Sequence, residues 1–201
     1  FNSGLNRLNG IVHVNQPIET MAENSLGFLV TYLDASTAVF YYAIEENGTL
    51  KVLATHALLG PSRIDKRILP GEGLAGQVAA TGKSIRLSAV PHNYLPIGSA
   101  LGEATPLEVL LMPVLHNDTL TAVIELGSFK NFTKDHYEFL LQATEVIGVA
   151  LNANHSHQLV NELLEQTQSQ TEELRVQQEE LQQTNEELIE RMQMLAERGR
   201  S

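Results

Sequence analysis

The stretch ILPGEGLAGQVAATGKSI, Ile68 to Ile85, decides how the rest of the chain is read. Its letters match two phosphate-binding fingerprints and its context satisfies neither. Gly71-Glu72-Gly73-Leu74-Ala75-Gly76 spells a dinucleotide-binding G-x-G-x-x-G, but that turn needs a buried strand before it and an acid about twenty positions later. Only Ile68 and Leu69 precede Pro70, and the next acid after Glu72 is Glu103. Gly82-Lys83-Ser84 spells the end of a P-loop, yet Gly76 lies one residue too far upstream, and the helical pattern precedes the lysine instead of following it. The residues predict a turn at Pro70 and Gly71 and a short helix with Leu74, Val78 and Ala79 on its apolar face. Gly82 follows as C-cap, and Ser84 to Leu87 as a strand.

Upstream, Thr37 to Ile44 is rich in β-branched and aromatic residues and Leu50 to Leu58 alternates less cleanly, with the hairpin dipeptide Asn47-Gly48 between them. A polar loop from Gly60 to Arg67 leads into the opening stretch. Downstream, Ser88 to Leu107 carries Pro91, Pro96, Gly98, Gly102 and Pro106 without periodicity, and is expected as a loop of functional length. Val109 to Leu115 and Leu120 to Leu126 form a second hairpin around His116-Asn117-Asp118, where Pro113 demands a bulge or an edge. Thr133 can cap a helix that Asp135 favours through the dipole, with Phe139, Leu140, Ala143, Val146, Ile147, Ala150 and Leu151 at helical spacing. At the start, Leu5, Leu8, Ile11 and Val12 predict a helix, interrupted at Asn15-Gln16-Pro17. Ile18, Met21, Leu26, Leu29 and Leu33 predict a second, ending near Asp34. The first helix, with little of its own to pack on, is expected as a dimer contact or connector.

The run from Leu69 to Lys83, L-P-G-E-G-L-A-G-Q-V-A-x-T-G-K, resembles the most distinctive segment of GAF domains, small ligand-binding and dimerising modules of signalling proteins. I-E-L-G-S-F-x-x-F-T-x-D, Ile124 to Asp135, is similar to the usual GAF exit from last strand to last helix, and the resemblance extends from Leu26 to Leu151. It implies an α+β fold: a GAF-like antiparallel sheet of five or six strands with helices on both faces, extended by a long C-terminal coiled-coil helix. The implied division is 1–16 as connector helix, 17–152 as GAF domain and 153–201 as coiled-coil signalling helix. By position in that fold, candidate ligand residues are Tyr41, Tyr42, Thr55, Val78, Met112 and Glu125, with His92 and Tyr94 in the lid beside the cavity.

Composition narrows the branches. The 201 residues carry 13 basic and 24 acidic side chains, a formal net charge of −11, which argues against nucleic acid as a partner. Cysteine is absent, which removes thiolate metal sites and thiol nucleophiles. It also removes two branches of the resembled family, the thiol-dependent methionine sulfoxide reductases and the photoreceptors that attach bilin through a GAF cysteine. Cyclic-nucleotide GAF domains carry Asn-Lys…Phe-x-x-x-Asp-Glu at the exit. Here Ser128-Phe129 stands near the Asn-Lys position, two residues separate Phe132 from Asp135, and His136 follows, so cyclic AMP or GMP is not expected. Haem through His56 or His92 is not expected either, no metal cluster is spaced in the sequence, and no nucleophile-base pair supports an enzyme. The ligand itself is unknown. No eighteen-residue apolar run or signal peptide is visible, and a chain that begins at Phe and ends in an arginine-rich stub is expected to be a piece of a longer protein.

No Pro or Gly occurs between Val149 and Arg198, and Leu174, Leu181, Leu188 and Leu195 fall seven apart. With these at d, the a positions are Thr171, Gln178, Asn185 and Met192, a seam for a two-stranded parallel coiled coil whose Asn fixes register. One helix over 134–198 would reach about 98 Å at about 1.5 Å per residue. The tail LLEQTQSQTEELRVQQEELQQTNEEL, Leu163 to Leu188, resembles linkers that follow GAF domains in multi-sensor and hybrid histidine kinases. The resemblance implies a homodimeric regulatory module of a bacterial two-component sensor, cytoplasmic within a membrane-bound parent, signalling to a kinase domain of the same chain in a phosphorelay. No histidine is followed by Glu-x-Arg-Thr-Pro, so the phosphoacceptor motif lies outside this sequence. The rivals are a ligand-free structural dimeriser ahead of a cyclase or phosphatase, and a GAF-like enzyme.

Overall fold

In the computed structural model, which describes residues 2–12, 16–44, 47–57, 67–88, 90–91, 97–99 and 102–198, two hairpins supply most of a six-stranded antiparallel sheet. The first joins β1 (Thr37–Ala43) to β2 (Leu50–His56). At its turn Asn47 Oδ1 accepts from the Thr49 N–H at 2.8 Å and the Thr49 hydroxyl at 2.7 Å, the local bonding that makes Asn a turn residue. The second joins β7 (Glu108–His116) to β8 (Thr119–Ser128) through Asn117 and Asp118, both at positive φ as a type I′ turn requires. Short strands β3 (Arg67–Ile68) and β4 (Ile85–Leu87) close the edges in the order β3-β2-β1-β8-β7-β4.

Pro113 sits where its ring does no harm. β4 pairs only with Val109 to Leu111, so at Pro113 the one neighbour of β7 is β8, and the register shifts just beyond, between Val114 and Leu115. An edge and a bulge therefore both occur. The stretch expected as a structureless loop is corrected: β5 (Ile97–Ser99) pairs with β6 (Gly102–Ala104) in a separate two-stranded sheet. Three-residue arms are too short to display a period.

Among the described residues, four helices flank the main sheet. α1 (Asn2–Ile11), α2 (Ile18–Leu33) and the start of α4 (Lys134–Arg198) cover one face. α2 ends where Asp34 turns left-handed and its N–H bonds to Val30 O. Phe40, Leu110, Met112, Ile124 and Leu126 of the strands meet Met21, Leu26 and Leu29 of α2 and Phe139, Leu140 and Ile147 of α4 in one buried cluster. The expectation that α1 has little to pack on is corrected, because its Leu8 is completely buried in this cluster. Beside it the rings of Tyr32 and Phe139 stack at 4.0 Å between centroids. Farther along α4, a Cβ at Gly148 would stand 2.5 Å from the carbonyl oxygen of Leu115, so helix and strand end touch backbone to backbone there. α3 (Gly73–Thr81) packs on the opposite face with a second, smaller cluster that includes Val39, Tyr41, Val52, Leu111 and Val123.

Two compact units divide the chain, Phe1–His155 and Ser156–Ser201. The first holds both sheets. The second is helical from Ser156 to Arg198.

Candidate functional site

The stretch that spells a phosphate loop folds as the seat of α3. The Gly71 N–H donates to Gly76 O at 2.7 Å and the Glu72 N–H to Leu69 O at 2.9 Å. The Leu69 N–H reaches the Glu72 carboxylate at 3.2 Å. A Cβ at Gly76 would fall 2.3 Å from Leu69 O, so only glycine lets the chain cross itself so closely. The Gly71, Glu72 and Gly76 N–H groups are thus engaged internally, the last with Glu72 O at 3.1 Å. What the glycines achieve is to press α3 onto the sheet, ending at Gly82, whose left-handed N–H closes on Val78 O at 2.8 Å.

Across the sheet beneath α3 runs one row of cross-strand neighbours: Thr55, Val39, Glu125, Leu111 and Ile85. Glu125 stands in the middle of that row on the inner strand β8 and is 2% exposed. The Tyr41 hydroxyl donates to its Oε2 at 2.6 Å. Val78 of α3 is completely buried in the cluster that holds Val39, Tyr41 and Leu111. Burying a carboxyl costs several kcal/mol when it is ionised, and a sheet centre folds as well or better with an aliphatic residue there. Glu125 is the residue of this face that folding does not ask for.

The structure thus brings Tyr41, Val78 and Glu125 together. Thr55 shares the row through its pairing with Val39 but is exposed. Tyr42 and Met112 point the other way: both pack with the helical cluster, so neither lines a pocket under α3. The strands are buried on both faces, so their sequence shows no polar-apolar alternation from which side-chain direction could be read. His92 and Tyr94 lie outside the described residues.

A polar cluster that the sequence reading missed ties the pocket side to α4. Glu108, 1% exposed, accepts from Arg86 Nε through Oε1 and from the Phe132 N–H through Oε2 at 2.6 Å, while Arg86 Nη2 donates to Phe132 O at 2.7 Å. The hydrogen bond that Arg86 donates to Glu108 raises the guanidinium pKa above its ordinary value. Next to it the hydroxyls of Ser84 and Tyr137 lie 2.8 Å apart. The available sign was modest: one charge inside Ile85-Arg86-Leu87 and one acid opening an otherwise apolar strand.

In the second unit Leu174, Leu181, Leu188, Met192 and Leu195 are each more than half exposed, and Thr171, Gln178 and Asn185 are exposed with them. Arg175 bridges Glu172 at 2.8 Å and Glu179 at 2.6 Å on the surface of that helix. In the first unit a groove of about 710 Å³ opens between α1 and α2, past Arg7, Asn24, Phe28 and Tyr32. Another of about 750 Å³ lies between the approach to β4, the β7–β8 turn and α4. Among the described residues, no group of three or more His, Asp and Glu could hold a metal ion, and no helix is long and apolar enough to cross a membrane.

Comparison with known proteins bears on the fold. A family model described as GAF domain matches residues 15–152, more than half of the chain. No curated protein matches the sequence. Among solved structures, the chain is similar to the GAF domain of a phosphoenolpyruvate-protein phosphotransferase from Acinetobacter (18% identity, 78% of this chain and 96% of that one, TM-score 0.59). It is also similar to the free methionine-R-sulfoxide reductase of Neisseria meningitidis, solved with its substrate (15% identity, 78% and 90% covered, TM-score 0.61). A third likeness is to the GAF-B domain of DevS from Mycobacterium smegmatis (17% identity, 69% and 96% covered, TM-score 0.53).

Proposed function

Since the chain belongs to the GAF family of signalling and regulatory modules, we propose that it is the sensory, dimerising part of a bacterial two-component histidine kinase, held on the cytoplasmic side of a membrane-bound parent. A small molecule binds on the α3 face, where Glu125 and Tyr41 offer it polar groups and Val78 an apolar wall. Two copies join through the leucine seam of α4 and pass the change of packing to a kinase domain farther along the same chain. The observation that carries this reading is the exposed heptad row, Leu174 to Leu195, interrupted by Thr171, Gln178 and Asn185 at the intervening layers. So long an apolar row needs a partner, and the polar layers make that partnership register-specific and easy to bias.

Native mass spectrometry of the 201-residue chain, beside its denatured mass, tests both halves. The expected result is a dimer carrying extra mass that is lost on denaturation, and a Leu181→Asp variant that is monomeric. A wild-type monomer would overturn the coiled coil. A dimer with no added mass would leave a structural dimeriser in place of a sensor.

A further inference from the structure

α3 and the first turn of α4 lie on opposite faces of the sheet, so a change at the pocket needs a route around its edge. β4 supplies one. It begins four residues after α3 ends, with the Gly82 N–H closing the last turn of α3 on Val78 O, and Val78 is fully buried in the apolar cluster beneath α3. At its start Ser84 meets the Tyr137 hydroxyl on the first turn of α4. At its centre Arg86 grips Phe132 O directly, and holds the Phe132 N–H through Glu108. One tie reaches Phe132, just before α4 begins at Lys134, and the other reaches Tyr137 in its first turn. Between and beyond these ties α4 also packs through Phe139 and Leu140, apolar contacts that bury area. Just beyond Tyr137 the helix borders the 750 Å³ groove at Leu141, Thr144 and Glu145, so it has room to tilt on that side.

We propose that β4 is the coupling strand of this module: displacement of α3 is conveyed through Ser84–Tyr137 and Arg86–Phe132 to the first turn of α4, which tilts toward the groove. This rests on the sensory reading above, in that the pocket under α3 is the input and α4 the output. Hydrogen bonds have direction where apolar contacts slide, so a strand held by them moves the helix with it. Glu108, itself buried, makes the grip of the half-exposed Arg86 a charge-assisted one, which opens less readily than a neutral pair.

The test is a double-mutant cycle read by hydrogen-deuterium exchange on the full 201-residue chain, with Val78→Ala as the perturbation of α3 and Ser84→Ala/Tyr137→Phe as removal of the neutral tie. In the wild-type background Val78→Ala is expected to speed exchange at amides 137–140 by about threefold relative to the amides of central β8, and by a clearly smaller factor in the background where only the Arg86–Phe132 tie remains. Equal fold-changes in both backgrounds would overturn the proposal, since a merely structural role gives additive effects. If the double substitution fails to fold, Arg86→Lys replaces it: the charge beside Glu108 stays and the fork onto Phe132 O is lost, with the same two outcomes. A native dimer with retained ligand and an additive cycle would keep the sensor and remove the coupling strand.

Discussion

The two faces of the sheet are built from the same strands and do different work. On the helical face, Phe40, Leu110, Met112 and Ile124 meet three helices, and Leu8, Met21, Leu29 and Phe139 are all at most 1% exposed. The buried carboxyl of that side, Glu108, stands at the strand end with Arg86 and the Phe132 N–H bonded to it. On the other face a single nine-residue helix covers a smaller cluster, and a carboxyl stands at its centre. Neighbouring side chains make the contrast sharp: Tyr41 turns its hydroxyl to Glu125, while Tyr42 lends its ring to the helical core. The difference teaches where the free energy of folding comes from and where the molecule can tolerate a costly group.

The largest expected effect tests that division directly. Phe139→Ala should lose about 3–5 kcal/mol, seen as a lowered urea midpoint at unchanged slope, because a closed core cannot collapse around the cavity. Val78→Ala on the α3 face should lose about 2 kcal/mol. Equal losses would break the comparison. Next, Tyr41→Phe removes one buried hydrogen bond, at about 1 kcal/mol, and should abolish any ligand mass retained by the native protein. A variant that keeps the ligand would return Tyr41 to a packing role.

Two smaller effects concern pH. Burial raises the Tyr42 phenol above its ordinary value near 10. Its contribution is therefore complete below about pH 10 and is lost as pH climbs through the raised folded value, so Tyr42→Phe should flatten the alkaline limb of a thermal-stability profile. Smallest of all, the hydrogen bond and charge of Lys130 hold the exposed Asp34 carboxyl below its ordinary range. That contribution is present above about pH 4 and lost as pH falls through the lowered folded value, and Asp34→Asn should shift the acid midpoint only slightly.

Local chemistry made much of this legible beforehand. Asn47-Gly48, Gly82, Pro113 and Thr133 each stand at a turn, cap or edge for a reason internal to a few residues; the Thr133 hydroxyl, for one, accepts from the His136 N–H at 3.2 Å. The heptad leucines and the sixty-five-residue helix needed only a period. Glu125 could be singled out as the acid in an apolar strand. Tyr42 and Met112 could not be told from Tyr41, because strands buried on both faces carry no alternation to read. The grip of Arg86 and Glu108 on Phe132 joins residues 22 and 46 positions apart, a distance at which pairing depends on the register of the sheet and not on any motif.

The close approach at Gly148 has a bearing for anyone who would graft this domain onto another output. With Leu115 O where a Cβ would fall, turning α4 about its own axis would drive Ile147 or Val149 into the carbonyl. The contact acts as a keyway: the shaft can rock against it but cannot spin. Azimuth is therefore set here, seven residues before the first unit ends at His155. Chimaeras should be phased by counting helical turns from Gly148, and an insertion downstream of it that is not close to a whole number of turns will present a different side of the helix to whatever follows.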